Sequence, residues 1–344
     1  LKPGGVDKVV VSEAGKVAGN DLMLHAEGSQ LAKYNGKYYL FNITWPQGGM
    51  RTVVVHRADQ ITGPYDGKVA LEDRGIAQGS IIDTPEGDWY AYMFKDYGAV
   101  GRIPYLMPMT WEDGWPVLGE NGKVPDTLDI PVKNKGALAI VTSDNFDRNQ
   151  NDKPLPLEWQ WNHNPDDRYW SVDDREGHLR LTNGRVDENV EQTRNTLTQR
   201  TFGPESSAST AVDVSNMKDG DYAGLVAFQK RYGIAGVKKE DGEKHIVMIS
   251  AESEKPVEKE SIPLNSDKVH FKIDCDFRNK TDKAYFYYSL DGENWNKIGE
   301  PLQMAYTLIE HFMGYRFGLF SFATKTTGGY VDFDFFRIKD EIIH

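Results

Sequence analysis

Two stretches of this chain resemble one another. EGSQLAKYNGKYYLF, beginning at residue 27, and QGSIIDTPEGDWYAY, beginning at residue 78, superimpose without a gap at an offset of 51 residues. Gly28 falls on Gly79, Ser29 on Ser80 and Gly36 on Gly87, and the aromatic pairs Tyr38/Trp89 and Tyr39/Tyr90 coincide. Each copy reads as a β-hairpin. Asn35-Gly36 is the strongest short-range hairpin signal, and Thr84-Pro85-Glu86-Gly87 supplies a second turn. Self-similarity carried by strands, at a period of roughly 40–50 residues, marks the blades of a propeller.

In a propeller the innermost strand of each blade runs along a central channel. The repeat therefore puts Glu27 and Gln78, each one step before Gly-Ser, at the same end of that channel. Residues 1–131 hold only two to three blade-sized units, whereas a closed propeller takes at least about four, so this part reads as an incomplete ring. A short polar linker covers 132–138, and from 139 to 344 the pattern changes. Strands such as HLRLTN, SASTAVDV, VHFKIDCDF and RFGLFSFA recur there at short spacing between polar turns, which is the pattern of a sandwich. KKEDGEK and AESEKPVEKE read as solvated hairpin tips. The fold class expected is all-β: a partial propeller followed by a β-sandwich.

Charge narrows the partners. Forty Lys and Arg against 52 Asp and Glu leave a net charge of −12, which argues against nucleic acid or an anionic membrane as the main partner. No run of 18 apolar residues is present to cross a bilayer as a helix. The single cysteine, Cys275, excludes an internal disulfide and a cysteine-based zinc site. Aromatics at 12% read first as packing on pleated, half-buried surfaces, with stacking against sugars as the alternative. The chain opens at LKPGGVDKVVVS with no signal-peptide pattern.

Motifs for serine hydrolases, kinases, phosphate loops and dinucleotide sites are absent, and the eight histidines show no metal-ligand spacing. Glu27 is the leading chemical candidate. Flanked by Leu22, Met23, Leu24 and Ala26, its carboxyl group could be desolvated and held protonated, as a general acid requires. It could equally accept backbone hydrogen bonds at the start of a strand. Arg102, after a glycine and before an apolar strand, could hydrogen-bond a sugar hydroxyl, pin Glu27, or form an ordinary structural pair with a carboxylate. Trp111 and Trp115, flanking the Glu112-Asp113-Gly114 turn, read as blade packing rather than as a ligand platform. Asp83 and Asp88 sit at or beside a hairpin turn, away from the channel.

The stretches AEGSQLAKYNGKYYLF, HRADQITGPYDG, GIAQGSIIDTPEGDWYAY, AVGRIPYLMPMTWEDGWPVLG and WQWNHNPDDRYW resemble glycoside hydrolase family 43. They are most similar to its two-domain β-xylosidase and α-L-arabinofuranosidase branch. NTLTQRTFGP, GLVAFQKRYGIAGVKK, YFYYSLDGENWNKIG and YRFGLFSFATKTTGGYVDFDFF resemble the concanavalin A-like sandwich that closes that branch. The resemblance runs essentially end to end. It implies a five-bladed propeller and an inverting mechanism with three acids in the funnel. One is a glutamic general acid in an E-G-[PS] motif before a hairpin, which is Glu27 here. The others are an aspartic base and a second aspartate that tunes the acid. Inversion sets acid and base roughly 6.5–9.5 Å apart, leaving room for a water. Arg102 matches a Gly-Arg motif whose arginine meets the terminal sugar. Gln78 stands where the family commonly has a histidine near a channel cation.

Neither aspartate motif of the family occurs in the chain, so the expectation is a C-terminal part of a longer enzyme. The missing acids would then lie upstream of Leu1 or on another chain. The expected activity is exo-acting removal of terminal α-L-arabinofuranosyl or β-D-xylosyl units from plant hemicellulose, in a secreted or periplasmic setting. A non-catalytic carbohydrate-binding module, or an inactive fragment on the same fold, is the competing expectation. No cofactor is needed for this chemistry. A structural calcium is expected between Asp144, in the first sandwich strand, and Asp334, in the last, since carboxylates on adjacent strands are hard oxygen ligands.

Overall fold

A computed structural model describes residues 8–130, 139–148, 154–253, 255–307 and 311–342. The expected linker at 132–138 lies outside the described residues. The chain divides into two compact units. One comprises Leu1–Asp96 with Arg102–Asn134, the other Lys135–His344 with the short segment Tyr97–Gly101.

The first unit contains two four-stranded antiparallel meanders. The first sheet runs β1 (Leu22–Tyr34), β2 (Lys37–Pro46), β3 (Thr52–Ala58) and β4 (Asp66–Leu71). The second runs β5 (Ala77–Asp83), β6 (Trp89–Asp96), β7 (Arg102–Glu112) and β8 (Trp115–Leu118). Each is a blade. Their facing sides share one core, in which Tyr39, Phe41 and Ile43 meet Ala91, Met93 and Met107. The side chains alternate along each strand, as the two-residue pleat dictates. At the hairpin ends Trp111 stacks on Tyr34 with ring centroids 4.0 Å apart and meets Trp89 edge-on at 5.4 Å, so it is packing. Trp115 is covered by Arg57 at 4.0 Å and Lys68 at 5.1 Å.

The Asn35-Gly36 turn forms as expected: both residues have positive φ, 45° and 81°, and Tyr34 pairs with Lys37. The repeat needs one correction. Ala32 pairs with Tyr39, whereas Asp83, 51 residues after Ala32, pairs with Trp89, only 50 after Tyr39. The offset of 51 holds along the first strand and becomes 50 on the return strand. Burial agrees, because buried Phe41 and Ile43 correspond to buried Ala91 and Met93, whereas Tyr92, 51 after Phe41, is 54% exposed. The aromatic pairs that coincide in the sequence are therefore not equivalent in space. The missing residue falls in the turn, where a deletion leaves every later rung intact.

The second unit is a two-sheet antiparallel sandwich. One sheet is ordered Val257–Pro263, Glu243–Ser250, Gly233–Glu240, Asp221–Phe228, Arg316–Ala323, Leu197–Arg200, Gln160–Trp161. The other is ordered Trp170–Ser171, Leu179–Thr182, Tyr330–Lys339, Glu205–Asp213, Lys268–Asp276, Lys283–Ser289, Asn296–Lys297. Between them lie Leu225, Phe271, Ile273, Phe317, Leu319 and Phe333, all buried. Cys275 is buried with them, and desolvation pushes its thiol pKa well up. KKEDGEK is a hairpin turning at Asp241-Gly242. AESEKPVEKE differs from the expectation: its second half opens the edge strand Val257–Pro263, almost wholly exposed. Its charges guard a sheet edge rather than cap a turn. In the same unit, the Ala99 N–H donates to Asp282 Oδ2 at 3.1 Å, and the Tyr315 N–H donates to the Ala99 carbonyl at 3.0 Å.

Candidate active site

Strand register collects the candidate residues of the first unit at one end of both blades. Glu27 pairs with Ile43, which pairs with Val53, two residues beyond Arg51. Gln78 follows Ala77, which pairs with Phe94 and so with Pro104, two residues from Asp96 and Arg102 respectively. All five positions lie at the end opposite the Asn35-Gly36 and Thr84–Gly87 turns, Arg51, Asp96 and Arg102 being in or beside the turns of that end.

β1 carries three breaks in register between Leu22 and Gln30. A bulged strand loses ladder bonds, and its carbonyls need other donors. Side chains of β2 supply them. Thr44 Oγ1 donates to the Leu24 carbonyl at 2.7 Å, and Asn42 Nδ2 donates to Ser29 Oγ at 2.8 Å and to the Glu27 carbonyl at 3.4 Å. Both donors are buried, so they fix the backbone on which Glu27 sits.

The Glu27 side chain is exposed, and this corrects the reason given for its candidacy. Leu22, Leu24 and Ala26 are half-buried while Met23, His25 and Glu27 face water, in the alternation of a strand. Its apolar neighbours in sequence thus point the other way and do not desolvate it.

Gln78 is brought against the residue next to Glu27. Gly28 has φ +61°, and a Cβ there would lie 2.4 Å from Gln78 Nε2 and 2.6 Å from its Cγ. Only a glycine both adopts that backbone and leaves the space which the glutamine fills. Gln78 itself has φ +59° and is the extra residue of the bulge between Ala77 and Gly79. In the first blade the left-handed residue is Gly28, so the bulge falls one residue earlier in the second blade. The two channel ends are similar but not superimposable.

Arg102 opens β7 and faces Asp96 across the hairpin, its Nε donating to Asp96 Oδ1 at 3.2 Å while its guanidinium lies 4.4 Å from the Phe94 ring centroid. The other oxygen of Asp96 is taken by Arg51, which precedes β3 of the neighbouring blade. Asp96 is thus a carboxylate that Arg102 meets. Sequence reasoning singled out neither Asp96 nor Arg51. Asp96 was within reach, since hairpin register opposes it to Arg102. Arg51 reaches it only through the packing of two sheets.

Asp144 and Asp334 are not brought together. Asp144 is buried, and its two oxygens accept four hydrogen bonds: from the Phe146 N–H at 2.7 Å, Arg148 at 2.9 and 2.7 Å, and Trp159 Nε1 at 2.9 Å. That uses the acceptor capacity of a carboxylate. Asp334 instead receives Lys268 Nζ at 2.6 Å. Two aspartates on neighbouring strands read as a calcium pair, but the cations supplied by the fold are Arg148 and Lys268. Among the described residues no group of three or more His, Cys, Asp or Glu is placed to hold a metal.

Two four-stranded blades followed by a two-sheet sandwich define the class, and comparison with known proteins gives the family. Residues 5–116 match the glycosyl hydrolases family 43, and residues 143–339 match the β-xylosidase C-terminal concanavalin A-like domain. The chain belongs to glycoside hydrolase family 43. It is 35% identical to a putative β-xylosidase of Xylanibacter ruminicola over 81% of this chain and 52% of that protein. It is 30% identical to a β-xylosidase of Formosa agariphila over 90% of this chain and 59% of that protein. Among solved structures, a bifunctional GH43-CE protein of Bacteroides eggerthii is 59% identical with a TM-score of 0.94, over 99% of this chain and 44% of that one. The chain thus spans about half the length of the relatives it matches.

Proposed function

We propose that this chain supplies the proton donor and part of the sugar subsite of an exo-acting, inverting glycosidase. The enzyme would remove terminal β-D-xylosyl or α-L-arabinofuranosyl units from hemicellulose outside the cytoplasm. Glu27 protonates the leaving glycosidic oxygen, while Arg102 and Gln78 hold the terminal sugar. An aspartate outside this chain, on the same or a separate polypeptide, activates the water on the opposite face. The observation that carries this reading is the register that sets Glu27, Gln78 and Arg102 at one end of two blades. Membership of the family and the β-xylosidase names of the relatives support it.

The reading fits the geometry physically. Bulges held by Asn42 and Thr44 fix the backbone of Glu27, which favours a reproducible proton-transfer distance. Asp96, between Arg102 and Arg51, limits the freedom of the Arg102 guanidinium, so less entropy is lost when it meets a hydroxyl.

The test is Glu27→Gln in the complete enzyme, assayed on xylobiose and on a nitrophenyl xyloside. A general acid contributes on the order of 10²–10⁴-fold, so xylobiose turnover should fall by that factor. The activated aryl substrate, which needs less protonation, should suffer far less. Xylobiose turnover close to that of the unmodified enzyme would overturn the assignment.

A further inference from the structure

Outside the blades, the sandwich has a cleft that the proposed reaction does not use. A cavity of about 240 Å³ lies among Tyr169, Phe322, Ser321 and three arginines, Arg168, Arg185 and Arg194. A wider concavity of about 700 Å³ shares Arg185 and Arg194 with it and adds Lys230, so these two arginines line both. The smaller space is the size of one sugar ring, and the pair together could take a short oligosaccharide.

Its walls are rigid. The Tyr169 ring lies on bare backbone at Gly184, where a Cβ would come within 2.3 Å of a ring carbon. Phe322 is stacked on Tyr222 with centroids 5.1 Å apart and planes 4° from parallel. The Arg168 guanidinium lies 5.1 Å from the Tyr169 ring centroid, so the ring and this cation together form one wall, and such a mixed wall suits a sugar ring, which is apolar on its C–H face and polar at its edge.

Charge sets the kind of sugar. In a chain of net charge −12, four full cations line this cleft against three carboxylates, Asp166, Asp187 and Glu191. Most are already paired. Arg168 grips Asp166 at 2.7 Å, Arg185 holds Asp187 at 2.8 Å, and Lys230 holds Glu191 at 3.0 Å. Arg194 differs. Its one carboxylate partner is Asp166 at 3.8 Å, beyond hydrogen-bond length, and among the described residues its guanidinium donates no hydrogen bond. A planar fork with unused donors at a cleft wall is the natural receptor for a carboxylate in bidentate geometry.

We propose that this cleft binds oligosaccharides bearing a uronic acid, with the sugar ring against Tyr169 and the carboxylate held by Arg194. The choice of sugar rests on the glycosidase reading; the cationic site does not. Such a site would retain an acidic, branched polysaccharide while neutral chain ends are processed elsewhere on the molecule.

The test is calorimetric titration of the complete protein, in a Glu27→Gln background that prevents hydrolysis, with xylotriose carrying one methylglucuronate and with neutral xylotetraose. The acidic probe should bind a site that the neutral one does not. Arg194→Ala should weaken that binding at least tenfold, and Arg194→Lys less. Binding should also fall as NaCl rises from 50 to 500 mM. Neutral binding, and nitrophenyl xyloside hydrolysis in an otherwise unmodified enzyme, should be unchanged by Arg194→Ala. If that variant melts early, Tyr169→Ser replaces it, with the same loss expected. Equal affinity for the two probes, no acid-specific site, or acid binding indifferent to both variants would overturn the proposal. A protein that binds the acidic probe yet hydrolyses no xyloside would overturn the catalytic reading and leave this one standing.

Discussion

Asp96 and Arg102 face each other on one rung of the β6–β7 hairpin, with Arg102 Nε donating to Asp96 Oδ1 at 3.2 Å, and the same carboxylate is gripped by Arg51 from the adjacent blade. Asp96 therefore restrains Arg102 and ties the two blades, and under the proposed function it would position Arg102 for the sugar. Asp96→Asn keeps the shape and removes the charge. Hydrogen bonds to charged groups contribute about 1.5–3 kcal/mol, so KM for an aryl xyloside should rise by roughly tenfold or more with kcat little changed. Steady-state kinetics on the complete enzyme decide this. An unchanged KM would mean that Arg102 keeps its place, or has no role, without Asp96.

Gly28 and Gln78 make a second prediction. Gly28→Ala forces a side chain into a φ of +61° and into the Gln78 amide. Strain of about 1–3 kcal/mol and overpacking of similar size add, so the loss in unfolding free energy should reach about 2–6 kcal/mol. Adding Gln78→Ala should return the steric share and leave the backbone share. Denaturant titration of the single and double variants would show this as a coupling energy, and strict additivity would refute the contact.

Asp144 predicts a pH dependence for the sandwich. Burial pushes its carboxyl up, but hydrogen bonds from Arg148, Trp159 and the Phe146 N–H outweigh that and hold it below the ordinary value of 3.8. A depressed carboxylate contributes stability that is fully present above the unfolded pKa and is lost as pH falls through the folded one. The stability of the wild-type protein should therefore be insensitive to this group from pH 7 down to about 4 and fall below that. Asp144→Asn leaves the half-buried Arg148 without its counter-charge and should cost about 3 kcal/mol at pH 7. Asp144→Asn with Arg148→Met should recover much of it. Urea melts at pH 7, 4 and 3 provide the measurement.

The hairpins, the blade repeat and the strands of the sandwich were legible in the sequence, because each rests on local signals; the start of β1 was not, since it begins at Leu22 and carries Glu27 in its interior rather than at its mouth. Turn residues such as Asn35-Gly36 and the pleat act over a few positions. What the sequence concealed is set by partners distant along the chain. Arg51 lies 45 residues from Asp96 in the chain and reaches it only once two sheets pack. Asp144 and Asp334 look alike as acids on adjacent strands until Arg148 and Lys268 arrive in space. The environment of Glu27 was misjudged for a related reason. In a strand, the residues beside an acid are the ones that do not share its face.

The change of offset from 51 to 50 between the outgoing and returning strands has a practical consequence for anyone recombining these blades. A hairpin transplanted residue for residue from 78–92 onto 27–41 would seat its outgoing strand correctly and turn its returning strand inside out. Tyr92 would then replace Phe41 in the core, and Ala91 would face away from it. A chimera that grafts 78–91 and lengthens its turn by one residue keeps both strands in phase. Loop length, more than residue identity, is the dimension along which these two modules are interchangeable.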